Sequence, residues 1–71
     1  KPNIPTYESI DYYHDRDLIA LALWVMSDGL LRTDEEIAEQ MFKELPFKRR
    51  GERIRQRLHQ AVKAAKSQLD G

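Results

Sequence analysis

Residues 47–60 read Phe-Lys-Arg-Arg-Gly-Glu-Arg-Ile-Arg-Gln-Arg-Leu-His-Gln, and the helical pattern that begins here continues to residue 69. On a helix of about 100° per residue, Ile54, Leu58, Ala61, Val62, Ala65 and Leu69 fall on one stripe. Arg49, Arg50, Arg53 and Arg57 gather on a neighbouring arc, with Gln56 and Gln60 beside them. One face of such a helix enters a core while another turns guanidinium and amide groups outward. The spacing predicts a last helix from about Arg50 to Gln68, fraying at Leu69, Asp70 and Gly71. Gly51 either caps its start or admits a close backbone.

Upstream, Pro46 ends the preceding helical pattern, because proline lacks an N–H donor and disfavours helical conformation in Leu45. That pattern opens with the strongest local signal in the chain. Thr33-Asp34-Glu35-Glu36 has the form of a capping box, with Thr33 as N-cap and Glu36 returning the hydrogen bond. Ile37, Ala38, Met41, Phe42 and Leu45 then share one face, and Phe47 is placed to plug the corner before the last helix. Further back, an apolar pattern predicts a helix from about His14 to Ser27, with Asp15 as N-cap and Asp17 in its first turn. Leu18, Leu21, Ala22 and Val25 form its stripe, widened by Ile19, Leu23 and Met26, and Trp24 adds a further large side chain. Gly29 stands where a left-handed residue closes a helix. Residues 1–13, with Pro2 and Pro5, read as an extended arm carrying Tyr7, Ile10, Tyr12 and Tyr13. Tyr12-Tyr13-His14 has the make-up of a base-stacking platform, but packing against the domain is the favoured reading.

Together these elements predict an all-α fold: a three-helix, helix-turn-helix-like bundle over 14–69, preceded by the extended arm, with no sheet. Seventy-one residues make a single small domain. With 41% hydrophobic and 34% charged residues, the chain has the composition of a folded helical domain rather than of a disordered tail. The Lys-Pro-Asn opening reads as a cut from a longer protein.

The zero net charge conceals a division. Residues 1–47 hold four Lys/Arg against ten Asp/Glu, whereas residues 48–66 hold eight against one, so the halves carry −6 and +7. Two readings stand open: the halves neutralise each other across a helix contact, or the basic part meets a polyanion. Arginines at a helix start oppose the helix dipole, by about 0.3–1 kcal/mol each, unless an anion offsets them. Backbone N–H groups and guanidinium forks suit phosphate oxygens there. Pairing with Glu35, Glu36 and Glu39 of the preceding helix is the competing account.

Several function classes find no support. There is no cysteine, so neither a disulfide nor a thiolate metal site is available. The longest apolar run, residues 18–26, is too short to span a bilayer, and cytoplasmic is the default location. No phosphate loop, HExxH or nucleophile set occurs. His14 and His59, the only histidines, lie far apart in sequence. His14 with Asp15 and Asp17 suits a helix start better than a metal, and His59 is expected on the solvated side opposite Arg50. No catalytic residue, metal or cofactor is expected.

Residues 23–36 (Leu-Trp-Val-Met-Ser-Asp-Gly-Leu-Leu-Arg-Thr-Asp-Glu-Glu), followed by Phe47-Lys48-Arg49-Arg50-Gly51-Glu52-Arg53-Ile54, carry a resemblance spanning about residues 16–65. The chain resembles the small helical domain near the C-terminus of large bacterial superfamily-one helicase-like proteins, which often carry a restriction-endonuclease-like domain. Where that pattern would have Leu-Gly before the phenylalanine, this chain has Leu45-Pro46. The resemblance implies a DNA helicase or nuclease context, with ATP hydrolysis and cleavage in other domains. The expected function is therefore a non-catalytic, DNA-binding accessory domain, monomeric and contacting other domains of its parent. Lys48, Arg49, Arg50, Arg53 and Arg57 are expected on phosphates, with Gln56 and Gln60 reaching base edges. The alternative is a protein-interaction or intramolecular docking module with no nucleic-acid contact.

Overall fold

The computed structural model describes residues 2–70. Lys1 of the expected arm and Gly71 of the expected frayed end lie outside the described residues. A 3-10 turn, Ile10–Tyr12, is followed by three α-helices: α1 (Asp15–Met26), α2 (Asp34–Lys43) and α3 (Glu52–Asp70). Among the described residues there is no strand. The predicted three-helix bundle is the observed fold. Each helix touches the other two, and α3 also contacts the 3-10 turn. The radius of gyration is 11.2 Å, close to the ~11 Å expected of a compact chain this long, so the arm lies folded on the body.

The core follows the predicted stripes. Leu18 and Leu21 of α1, Ile37 and Met41 of α2, and Leu58 and Val62 of α3 are its largest fully buried side chains. Removing one of them to alanine should cost about 2–5 kcal/mol, against a total of about 4–10 kcal/mol for a domain of this length. Ile10 and Tyr13 of the arm are buried in the same cluster, while Tyr12 between them points out. Packing holds for Tyr13, whose ring meets Tyr7 and Phe47 edge-on at 5.0 and 6.0 Å. Phe47 fills the corner as expected.

Local signals explain the helix ends. Thr33 Oγ1 accepts the Glu36 N–H at 3.1 Å, and Glu36 Oε1 accepts the Thr33 N–H at 2.9 Å, completing the capping box. Gly29 has φ 77° and closes the turn after α1. Arg32 then locks that turn, donating to the Val25 carbonyl at 3.0 Å and both Asp28 carboxylate oxygens at 2.9 and 2.7 Å. The connection consequently leaves Leu30 and Leu31 in solvent.

Several boundaries and placements differ from expectation. The N-cap of α1 is His14, not Asp15, and its side chain makes no capping bond; Asp15 is instead the first helical residue. The arm is not extended throughout, since Ser9 Oγ accepts the Asp11 N–H and starts the 3-10 turn. α2 stops at Lys43, before Leu45, because the chain tightens ahead of Pro46 with Leu45 N–H bonded to the Phe42 carbonyl at 3.1 Å. α3 begins at Glu52, so Arg49 and Arg50 precede it, and it continues to Asp70. Its Leu69 is exposed, as is part of Trp24. Gly51 takes the Arg55 N–H on its carbonyl at 3.0 Å, and its φ is not positive. A Cβ there would meet nothing within 4 Å, so no close backbone approach requires the glycine.

Candidate nucleic-acid interface

The loop after α2 and the first turns of α3 position every basic residue singled out in the sequence. Because α3 starts at Glu52, Arg53 is the one arginine of the expected arc in its first turn, and the Glu52 carboxylate lies in the same turn with favourable sign. The four arginines do not stand together on one free arc. Intervening carboxylates and carbonyls divide them.

Arg57 is turned inward against the arm. Its guanidinium donates to the Ile10 carbonyl at 3.2 Å, the Tyr13 carbonyl at 2.9 Å and Asp15 Oδ1 at 2.9 Å. Only 20% of its side chain is exposed. Arg50 reaches back to α2, where it pairs with Glu39 and lies over the Phe42 ring with its guanidinium carbon 5.1 Å from the centroid. A cation held on a ring face and paired with a carboxylate is well satisfied where it stands. Arg53 donates to Asp11 Oδ2 at 2.7 Å, but its side chain remains 72% exposed.

Lys48 and Arg49 differ from these. Both are exposed, and among the described residues neither has an ion-pair partner. Gln56 and Gln60, one turn apart on α3, are exposed on its outward side and make no hydrogen bond among those described. The structure therefore brings Lys48, Arg49, Arg53, Gln56 and Gln60 to solvent, and ties Arg50 and Arg57 into the fold.

Sequence reasoning passed over two further cations. Lys63 is exposed and lies seven residues after Gln56, hence on the same face; that spacing was the available signal. Arg55 borders the same shallow depression as Gln56 and Lys63 and reaches Glu35 at 3.9 Å. His59, expected in solvent, is half-buried with Nε2 3.2 Å from Glu35 Oε2. The correction has a simple cause: the N-terminus of α2 crosses beside that side of α3, so the flank opposite Arg50 is not open water. Lys66 likewise pairs with Asp34 at the head of α2. Of the three α2 glutamates expected to answer the basic arc, Glu39 alone does so among the described residues, through Arg50, whereas Glu35 pairs with Arg55 and His59 outside it. Glu36 serves the cap, and the two bonds from Thr33 hold its carboxyl below the ordinary range.

No three His, Cys, Asp or Glu side chains among the described residues gather as a metal site. No helix among them is long and apolar enough to cross a membrane. Comparison with family models, with curated proteins and with solved structures gave no match.

Proposed function

We propose that this domain is a non-catalytic module that binds the DNA backbone, using the loop before α3 and the outward side of that helix. The carrying observation is the pair Lys48 and Arg49, exposed at the approach to the α3 N-terminus and free of carboxylate partners among the described residues. Arg53 adds a third cation through a surface pair of the kind worth only about 0–1 kcal/mol, which a phosphate can displace. Gln56 and Gln60 then face the base edges. The connection between α2 and α3, residues 44–51, is longer than the usual three or four residues of a helix-turn-helix. The lengthening is what puts Lys48 and Arg49 ahead of the helix rather than on it. The resemblance to helicase-associated helical domains supports the setting: an accessory part of a bacterial helicase- or nuclease-type protein in the cytoplasm, with the chemistry elsewhere.

The test is titration of a labelled duplex at several salt concentrations. Three neutralised phosphates give a log–log slope of about −2.7, and Lys48→Glu with Arg49→Glu should remove most of the affinity. Undetectable binding at low salt would reject the reading for this domain.

A second reading has its own observation. Leu30, Leu31 and Leu69 are exposed around a recess that Met26 and Ile37 floor, away from the basic loop. A docking module held to other domains of its parent would cover such a surface. Leu30→Ser with Leu31→Ser should then release the domain from the parent protein while leaving duplex binding untouched; unchanged association would exclude that role for the recess.

A further inference from the structure

We propose that Asp11 is a built-in competitor for the nucleic-acid backbone, occupying Arg53 until a polyanion displaces it. The inference rests on the DNA-binding reading and concerns how that site is regulated. Arg53 is the one guanidinium of the expected arc that stands in the first turns of α3, is mostly exposed, and is closed by a carboxylate from another element. Its partner is not a loose side chain on a loose arm. Ser9 Oγ holds the Asp11 N–H at 3.2 Å, and the turn is closed by Tyr12 and Tyr13 N–H bonds to Ser9 and Ile10 carbonyls, both at 3.1 Å. Ile10 and Tyr13, on either side, are each only 3% exposed, and Arg57 grips both their carbonyls.

The Asp11 carboxylate is therefore presented from a fixed backbone, at a high effective concentration over Arg53. Exchange does not require the arm to leave. The Arg53 side chain has only to swing from the carboxylate to a phosphate, and Asp11 returns to water, where its side chain is already half exposed. An isolated anion must outcompete Asp11 unaided. A phosphate belonging to a strand already held by Lys48 and Arg49 arrives as an intramolecular rival and prevails. The pair thus acts as a threshold that admits polyanions and turns away single ones.

Four proteins decide the matter: the unaltered chain, Asp11→Asn, Arg53→Gln and the double variant, each titrated with a labelled duplex across several salt concentrations. Far-ultraviolet circular dichroism should be unchanged among them, because the pair lies at the surface. Asp11→Asn should tighten binding about two- to fivefold, the range a surface ion pair spans, and steepen the salt slope by up to about 0.9. In the Arg53→Gln background most of that gain should vanish. An equal gain in both backgrounds would mean that only net charge matters, and would overturn the competitor role. So would binding by the unaltered chain that Asp11→Asn leaves unchanged, with the DNA-binding reading intact. No binding by any of the four proteins rejects that reading itself, and the competitor with it.

Discussion

Arg57 of α3 donates through Nη2 to the backbone carbonyl of Tyr13 at 2.9 Å, across 44 residues of chain. The same guanidinium reaches the Ile10 carbonyl and the Asp15 carboxylate. Ile10 opens the 3-10 turn, Tyr13 follows it and Asp15 opens α1, so one side chain closes the seam where the arm, α1 and α3 meet. A planar fork of five N–H donors can satisfy three acceptors at once, which an ammonium on a flexible stem does less well. Arg57 is thereby committed to the fold, while Arg53, four residues earlier on the same helix, stays mostly exposed.

Arg57→Ala should therefore behave as a folding variant rather than a binding variant. Losing a charged donor to partly buried acceptors costs about 1.5–3 kcal/mol. For a domain this small that lowers Tm by more than about 5 °C. Arg57→Lys should recover only part of the loss, and Lys48→Ala, a surface change worth within about 0.5 kcal/mol, should leave Tm within about 2–4 °C. Thermal melts of the three variants check the ordering. Equal Tm for Arg57→Ala and Lys48→Ala would sink it.

The capping box gives a second, independent stability prediction. Thr33→Ala removes the acceptor for the Glu36 N–H and strands one end of a reciprocal pair. The cost should be about 1 kcal/mol, or about 4–8 °C in Tm, while Thr33→Ser should stay near the unaltered value. A melt of Thr33→Ala indistinguishable from the parent would show that α2 is held by its core face alone.

Why the cap was legible and the arginines were not is a matter of range. Thr33 and Glu36 are three residues apart, and the chemistry of a helix start fixes their relationship locally. The apolar stripes were legible for a related reason, since periodicity alone sends Leu18, Ile37 and Leu58 to a common interior. The partners of Arg50, Arg53 and Arg57 lie 11, 42 and 42–47 residues away. No spacing rule reaches that far; the partners exist only once the helices are assembled. The charge division, −6 against +7, did signal that internal pairing was available. It could not say which cations would be left over. His59 failed for the same reason, because Glu35 reaches it only through the packing of α2 on α3.

The two turn glycines should respond differently to a methyl group. Gly29 has φ 77°, where an L side chain is strained even though the surrounding space is open. Gly29→Ala should cost about 1–2 kcal/mol. Gly51 has neither a positive φ nor a neighbour within 4 Å of an added Cβ. There the smaller entropy of the unfolded chain opposes the poorer capping of alanine, and Gly51→Ala should change stability by less than about 0.5 kcal/mol. Urea unfolding of both variants makes the comparison, and a larger loss at Gly51 than at Gly29 would contradict the backbone reading.

Acid should destabilise the domain through two carboxylates whose surroundings favour the charged form. Asp28 is held below the ordinary carboxylate range chiefly by the Arg32 side chain and then by the Leu30 N–H. Glu36 is held below it by the Thr33 backbone and side chain. A folded value below the unfolded one means that the unfolded chain binds protons first as pH falls. Their contribution is thus fully present above the unfolded values, about 4, and disappears as pH drops through the lower folded values. Arg32 is shifted upward, so its side of the pair is lost only in strong alkali. Urea midpoints taken from pH 7 down to pH 2 should fall on the acid side of about pH 4. Asp28→Asn with Glu36→Gln should lower the midpoint at neutral pH and flatten that acid limb. If the double variant keeps the parent's full acid slope, the pH dependence belongs to other carboxylates and the two hydrogen-bonded turns contribute nothing to it.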